Sequence, residues 1–404
     1  MKKAQTFQRI ILDSQSLPSF IGVKAEQDFD QRAGLCQGGP GDIVVTTDPY
    51  EPMYLRYWQN LGYELPTLLT AGPFDPKMAL SDLVRTKSDV QQSIRRVLNC
   101  NPRLEFFHPS NREISLTNEL GIPAYMNFDF AQEFQQKNKF KELFVNARIP
   151  TLPFIDLVNY SGITWDEVVA ELGPSELGYI AKKVFGSGGK SLGMISQVNC
   201  KQDFDNLDLT EGYIIEPKVQ IKKEIAVHWE VTSDGSVNFI GYFGQLGEDL
   251  SYIGTKFPIV IRKSLRQKLD NGFKKLTSEI ATLGGLGFMC CDVLVDQEDN
   301  IYWSDLNPRK GAILFIFDAI RRLKKTRHLG KVHILHKHFS RTRFSSFEEV
   351  QQVLGDLLDP NNDNGFVLIT NPGAIQYGYL DVTCVCKIKK DTNTLMEQVM
   401  SLIF

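Results

Sequence analysis

No apolar stretch of this chain approaches the roughly 20 residues needed to cross a bilayer. The N-terminus, Met1-Lys2-Lys3 followed by polar residues, lacks a signal core. No charge sign dominates: 45 Lys and Arg stand against 48 Asp and Glu, a formal net charge of -3 at pH 7, so the electrostatic footprint of a nucleic-acid-binding protein is missing. A disulfide framework is not expected, because the seven cysteines are odd in number and scattered at Cys36, Cys100, Cys200, Cys290, Cys291, Cys384 and Cys386. The Cys384-Val385-Cys386 alternation also lacks zinc-site spacing. There is no internal repeat and no low-complexity tract. What these absences leave is a soluble chain, expected in the cytoplasm with reduced thiols. Its 404 residues, 42% hydrophobic and 23% charged, are enough for two or three domains with ordinary cores.

The patterning changes along the chain. Gly38-Gly39-Pro40-Gly41 precedes a strand at 42–46, and a helical stretch at 78–98 follows, the βα pattern of a small open-sheet domain. In a dinucleotide fingerprint the glycines follow their strand, so this cluster does not meet it. Further on, a helix at 131–147 ends at Ile149-Pro150, and Thr164 with Glu167 forms a capping box for the next helix. Residues 213–241 alternate as antiparallel strands with a hairpin turn at Asp234-Gly235, and a helix covers 264–283. In the tail, Ser346 and Glu349 open a helix, and 366–370 and 380–386 read as strands.

The chemistry concentrates in one hairpin. Residues 290–296 read as a strand, Gln297-Glu298-Asp299-Asn300 as a turn and 301–305 as the returning strand. With a four-residue loop and no bulge, Asp296 pairs with Ile301 and Asp292 faces Asp305. Opposed side chains lie about 4.5 to 5.5 Å apart at Cβ, where like charges destabilise the sheet unless a cation lies between them. Asn307 points to the same face as Asp305, because strand side chains alternate. Three hard oxygen donors suit magnesium, which keeps waters and accepts phosphate oxygens as further ligands, so a nucleoside triphosphate is the expected companion. The competing reading is a solvent-facing hairpin with two ordinary surface acids.

Upstream, the strand Tyr179-Ile180-Ala181-Lys182 runs into Lys183-Val184-Phe185-Gly186-Ser187-Gly188-Gly189-Lys190-Ser191. A strand-end lysine followed by a glycine loop suits phosphate, since backbone amides close over the anion while the ammonium supplies charge. Walker spacing is not met, and a plain glycine-rich turn is the alternative. The segment Tyr213-Ile214-Ile215-Glu216-Pro217-Lys218-Val219 ends an apolar strand with an acid and a proline, which leaves backbone groups able to bond an adenine edge. Glu224 opens the next strand and is able to accept from ribose hydroxyls; taken singly, both glutamates also read as surface residues.

In chain order, these features resemble the ATP-grasp family over residues 131–315: a lysine-bearing helix before Ile149-Pro150, Lys182 and its glycine loop, Glu216, Glu224, Asp292, and Asp305-Leu306-Asn307-Pro308-Arg309. The most diagnostic part is the acid followed thirteen residues later by acid-x-Asn-Pro-Arg. The N-terminal segment resembles the preATP-grasp domain, and the whole chain is similar to the peptide-ligase branch that makes natural-product amides. The resemblance implies an α/β (α+β) architecture: an open-sheet preATP-grasp domain at 1–130, an ATP-grasp N-lobe with a glycine-rich lid at 131–213, a C-lobe with the metal site at 214–327, and a C-terminal α/β extension at 328–404.

The resemblance also implies roles. Lys182 contacts ATP phosphate, and Gly186, Ser187, Gly188 and Gly189 form the lid. Lys139 is the second phosphate lysine, with Lys137 and Lys141 as competitors. Glu216 and the Lys218 backbone hold adenine, and Glu224 the ribose. Asp292, Asp305 and Asn307 hold one or two Mg2+ ions, while Arg309 faces the transferring phosphoryl group or the acyl phosphate and joins Lys182 as a catalytic residue. Two positions depart from the family pattern. Asp305 stands where the family usually carries glutamate, and Cys290 where many members carry arginine, a charge that Arg309, Arg262 or Lys256 would have to supply.

The implied activity is that of an ATP-dependent carboxylate-amine ligase forming an amide or peptide bond through an acyl phosphate, in the biosynthesis of a small peptide or an amino-acid-derived natural product. ATP and Mg2+ are the implied cofactors, and a small-molecule carboxylate and amine the partners. No nucleic acid or membrane partner is expected, and a homodimer is a family-level expectation. A small-molecule kinase and a non-catalytic ATP-binding module are the other classes. Gly244, Gln245, Tyr252, Ile253, Gly254 and Lys256 are expected near the acceptor pocket. No general base emerges: His228 reads as packed or solvated, and His333, His336 and His338 as structural or surface residues.

Overall fold

The computed structural model describes residues 7–14, 16, 30–75, 77–99, 101–158, 162–186 and 193–404. They form two compact units, one of Met1–Phe128, Gly254–Phe257 and Lys310–Phe404, the other of Asp129–Ile253 and Pro258–Arg309. Among the described residues no helix is long and apolar enough to cross a membrane.

In the first unit, four short strands form a parallel sheet in the order Thr67–Thr70, Ile43–Thr46, Arg9–Leu12, Arg103–Phe106. Runs such as Ile43-Val44-Val45 are apolar at consecutive positions because a parallel sheet is covered on both faces. Ile10, Leu12, Ile43, Val45, Leu104 and Phe106 form a core with residues of the helices Leu80–Thr86, Ser88–Arg96 and Asn111–Leu120. The helical stretch expected at 78–98 is thus two helices, broken where Lys87 takes extended backbone angles.

The tail belongs to this same unit. Gly254–Phe257 pairs with His333–Phe339, which pairs with Leu380–Cys386, which in turn pairs with Phe366–Ile369. The helix Ala312–Thr326, inside the 214–327 lobe of the sequence boundaries, also falls in this unit.

The second unit holds two antiparallel sheets. The smaller runs in the order Ile155–Asp156, Tyr213–Pro217, Tyr179–Lys183, Ile195–Val198. The helix Trp165–Leu172, opened by the Thr164–Glu167 capping box, contributes Val168 to a core with Tyr179, Ala181, Val198 and Ile215. In the larger sheet the strands of this unit run in the order Ile301–Asn307, Gly287–Asp296, Ile221–Val231, Val237–Glu248.

Alternation along 221–231 sends Ile225, Val227, Trp229 and Val231 into a core with Leu265, Leu269, Leu276 and Ile280 of the helix Lys263–Thr282. Glu224, Ala226 and His228 are left to the opposite face. Gly272 lies inside that helix because the helix runs close to the hairpin: a Cβ there would fall 2.6 Å from Trp303 Nε1.

The expected helix at 131–147 is also two, Phe128–Phe134 and Lys137–Asn146. At the break the Lys137 amide donates to the Val184 carbonyl at 3.0 Å instead of continuing a helix. This brings the start of the second helix to the strand end that leads into the glycine segment.

Candidate active site

The metal hairpin has a register of two parts. Near the turn, Val295 pairs with Ile301, Leu294 with Tyr302 and Val293 with Trp303; beyond a shift, Asp292 pairs with Asp305, Cys291 with Leu306 and Cys290 with Asn307. The expected pairing of Asp296 with Ile301 does not form. Asp296 instead accepts from the amides of Glu298 and Asn300 at 3.0 and 2.8 Å, tying off a longer turn. A bulge at Ser304 then takes up the extra residue, so the opposition of Asp292 and Asp305 is nevertheless present. Bulges re-aim side chains, and here two consecutive residues, Ser304 and Asp305, both reach the same ammonium.

That ammonium is Lys182. Its Nζ lies 3.0 Å from Ser304 Oγ, 3.0 Å from Asp305 Oδ2 and 2.9 Å from Glu216 Oε2. Burial works to lower its pKa, but the two carboxylates more than reverse this and hold it above the usual lysine value. Burial works to raise Asp305, yet Lys182 and then Lys137 pull its carboxyl well below the ordinary range.

Glu216 is buried between two lysines, Lys182 on one oxygen and Lys141 on the other, and they hold its carboxyl low against the cost of burial. Lys141 also donates to Thr151 Oγ1 at 2.8 Å, and that hydroxyl donates to the Trp303 carbonyl at 2.9 Å. Lys137 donates to the Gly186 carbonyl at 3.0 Å and lies 3.9 Å from Asp305 Oδ1. Burial lowers the pKa of both Lys137 and Lys141.

Several residues lie differently from their expected places. Lys139 is not brought to the cluster: its ammonium pairs with Glu142 at 3.1 Å on the exposed side of the helix. Helical spacing explains this, since residues 137 and 141 share a face and 139 does not. The Glu216 carboxylate is engaged by two lysines, and the Lys218 amide donates to the Gly178 carbonyl at 3.0 Å, so these two groups of the expected adenine contact are already partnered. Gly186 has φ of +118°, a backbone conformation that favours glycine over any residue with a side chain. Ser187, Gly188 and Gly189 lie outside the described residues.

Glu224 is half-buried opposite Leu294, on the face that carries Asp292, and burial raises its pKa. Asp292 accepts from Gln245 Nε2 at 2.7 Å, so Gln245, expected near an acceptor pocket, holds a proposed metal ligand. Burial, and then the facing Asp305, push the Asp292 carboxyl up to about 7. Asn307 Oδ1 accepts from Arg309 Nη2 at 3.0 Å. Of the cations weighed for the Cys290 position, Arg262 is exposed and paired with Asp299, and Lys256 lies opposite Leu335 in the first unit's sheet. Arg309 is the one beside a proposed metal ligand.

Among the described residues no group of three or more His, Cys, Asp and Glu side chains is placed to hold a metal by itself. The two opposed carboxylates and the Asn307 amide oxygen are an incomplete shell of hard donors. This fits magnesium, which fills its octahedron with waters and phosphate oxygens. Two side chains of the site, Ser304 and Gln245, carry no sequence signal for the place they take. Lys141 was legible only as a competitor of Lys139 for the second phosphate lysine.

His228 is fully buried with its ring edge-on to Phe243 at 5.0 Å, and neither ring nitrogen has a hydrogen-bond partner among the described residues. Burial lowers its pKa to about 3, so it stays neutral. In the first unit, His336 Nδ1 lies 3.0 Å from the Thr383 hydroxyl and His338 Nδ1 2.6 Å from Asp381 Oδ1.

No family model and no curated protein matches the sequence. Solved structures match over nearly the whole chain. The ADP complex of PurK, N5-carboxyaminoimidazole ribonucleotide synthetase, has a TM-score of 0.62 at 14% identity, covering 98% of this chain and 96% of that one. The N5-carboxyaminoimidazole synthase from Aspergillus clavatus, in complex with ADP and 5-aminoimidazole ribonucleotide, has a TM-score of 0.61 at 13% identity, covering 98% and 99%. Biotin carboxylase from Campylobacter jejuni, in a β-γ-ATP complex, has a TM-score of 0.62 at 12% identity, covering 99% and 92%. The fold of this chain is the ATP-grasp fold.

Proposed function

We propose that this protein is an ATP-dependent carboxylate-amine ligase that uses Mg2+ and works through an acyl phosphate. One observation carries the reading: Lys182, a cation suited to phosphate, touches Asp305, and Asp305 faces Asp292 directly, a pair suited to a divalent metal. A carboxylate attacking the γ-phosphate of ATP brings like charges together, so the barrier falls mainly through cations fixed around the equatorial oxygens. Lys182, Lys137 and Arg309 are the chain's own cations for that task. Magnesium, held by Asp292, Asp305 and Asn307, adds charge at the phosphoryl oxygens when bound.

The amine nitrogen then attacks the acyl carbon; the C–N bond forms, inorganic phosphate leaves, and the amine's proton passes to solvent. Acyl phosphates hydrolyse in water, and the reading gives the exclusion of water to the segment that starts at Gly186.

For substrates, we propose an amino-acid-derived carboxylate and amine joined as a peptide-like amide. A second reading has a specific basis. The similar synthetases are named for a carboxylated amine, and the match extends over 98% of this chain. Bicarbonate therefore belongs among the candidate carboxylates, and an aminoimidazole-type amine among the acceptors.

The test is ADP release with Mg2+ and ATP against pooled amino acids, small carboxylates including bicarbonate, and amines, with Asp305→Ala as the control. Turnover that needs both a carboxylate and an amine, and disappears in Asp305→Ala, is expected. Turnover with a hydroxyl compound alone would replace this reading with a small-molecule kinase. ATP binding with no turnover in any pool would favour a non-catalytic module.

A further inference from the structure

We infer that Lys141 is a positioning residue, one that keeps the buried Glu216 carboxylate paired so that Lys182 is able to leave it for a nucleotide phosphate. The inference rests on the proposed reading of the Lys182 site as a nucleotide site.

Lys141 has no exposed side-chain surface, and its Nζ is engaged by Glu216 Oε1 and Thr151 Oγ1. An ammonium enclosed in this way is poorly placed to meet a phosphate that arrives from solvent. Burying a lysine is costly unless a charge partner and hydrogen bonds offset it, and here both are supplied. Thr151 in turn donates to the Trp303 carbonyl, which fixes Lys141 against the strand that carries Ser304 and Asp305.

The function of this arrangement follows from where Lys182 sits. It lies between two carboxylates, and each has a second cation. Glu216 has Lys141 on its other oxygen, and Asp305 has Lys137 at 3.9 Å from its other oxygen. Removing one partner of a buried pair is strongly unfavourable because a charge is left uncompensated. With Lys141 and Lys137 in place, Lys182 leaves no bare carboxylate behind when it turns to a phosphate. Without Lys141 it becomes the one lysine of this cluster in direct contact with Glu216 and is held there.

The test measures MgATP affinity calorimetrically in the full chain. The variants are Lys141→Met, Lys141→Gln, Glu216→Gln and the Lys141→Met/Glu216→Gln double variant, each checked for a cooperative melt. Both Lys141 single variants should bind MgATP weaker than wild type by more than about tenfold, and the double variant should recover to within about threefold, because a neutral residue 216 no longer holds Lys182. Recovery on changing Glu216 is what a purely packing role for Lys141 does not produce. If Lys141→Met does not fold, Lys141→Gln, whose amide is polar but uncharged, carries the same expectation. A folded Lys141 variant that binds MgATP like wild type, or a double variant as weak as the single, overturns the inference. Wild-type protein that fails to bind MgATP overturns the nucleotide reading itself, and this inference with it.

Discussion

Asp292 and Asp305 face each other across the hairpin only because the bulge at Ser304 cancels a one-residue offset introduced at the turn. A one-residue slip would send Asp305 to the opposite face of the sheet, away from both Lys182 and Asp292. Asp305→Asn should therefore abolish Mg2+-dependent ADP release, by about 100-fold or more if the carboxylate serves the phosphoryl-transfer charge. A magnesium titration of ADP release checks this, and near-wild-type turnover at saturating Mg2+ would sink the metal assignment.

The three lysines of the helix near 137–141 should separate sharply. Lys139→Ala removes an exposed pair with Glu142, worth no more than about 1 kcal/mol, and should leave MgATP affinity and turnover unchanged. Lys137→Ala removes a cation beside Asp305 and Gly186 and should cut turnover at least about tenfold. Steady-state kinetics of the two variants side by side decide the matter; equal behaviour would return Lys139 to consideration.

His228 gives a pH dependence of stability. Its folded pKa, about 3, lies below the ordinary histidine value of 6.5. The unfolded chain therefore takes up the proton first, and the contribution is fully present above about pH 6.5 and lost as pH falls toward 3. Thermal melts from pH 8 to 4 should show Tm declining below about 6.5, and His228→Phe should flatten that part of the profile. A His228→Phe profile parallel to wild type would assign the acid sensitivity to other groups.

Gly272→Ala should destabilise the second unit although alanine is the better helix former. The added methyl would lie 2.6 Å from Trp303 Nε1. Overpacking of about 1–3 kcal/mol exceeds the helix-propensity gain of about 1 kcal/mol. Denaturant unfolding followed by tryptophan fluorescence measures the difference.

Alternation and capping made much of the second unit legible. The strands around Glu216, Glu224 and Asp292, the Asp234-Gly235 turn and the capping box at Thr164 are where local chemistry places them. What stayed hidden depends on distant partners. Nothing at Gln135-Gln136 marks the break that turns Lys137 toward Val184, because neither proline nor glycine is there. Glu216 looked available to a base only while its two lysine partners, 75 and 34 positions away in sequence, were unknown. The Ser304 bulge is likewise silent, since its cause is the length of the turn closed by Asp296.

The order of segments in the two units bears on how the chain is made. Residues leave the ribosome in sequence, so the second unit has all its strands once Arg309 has emerged. The first unit must wait for Leu380–Cys386, which pairs with both His333–Phe339 and Phe366–Ile369. Its opening 128 residues are therefore synthesised long before the last of their unit, and such long-range pairing slows folding. A truncation before residue 380 would not trim this protein at its end. It would remove the strand that lies between His333–Phe339 and Phe366–Ile369 and leave the earliest-made part of the chain without the closing strand of the unit it belongs to.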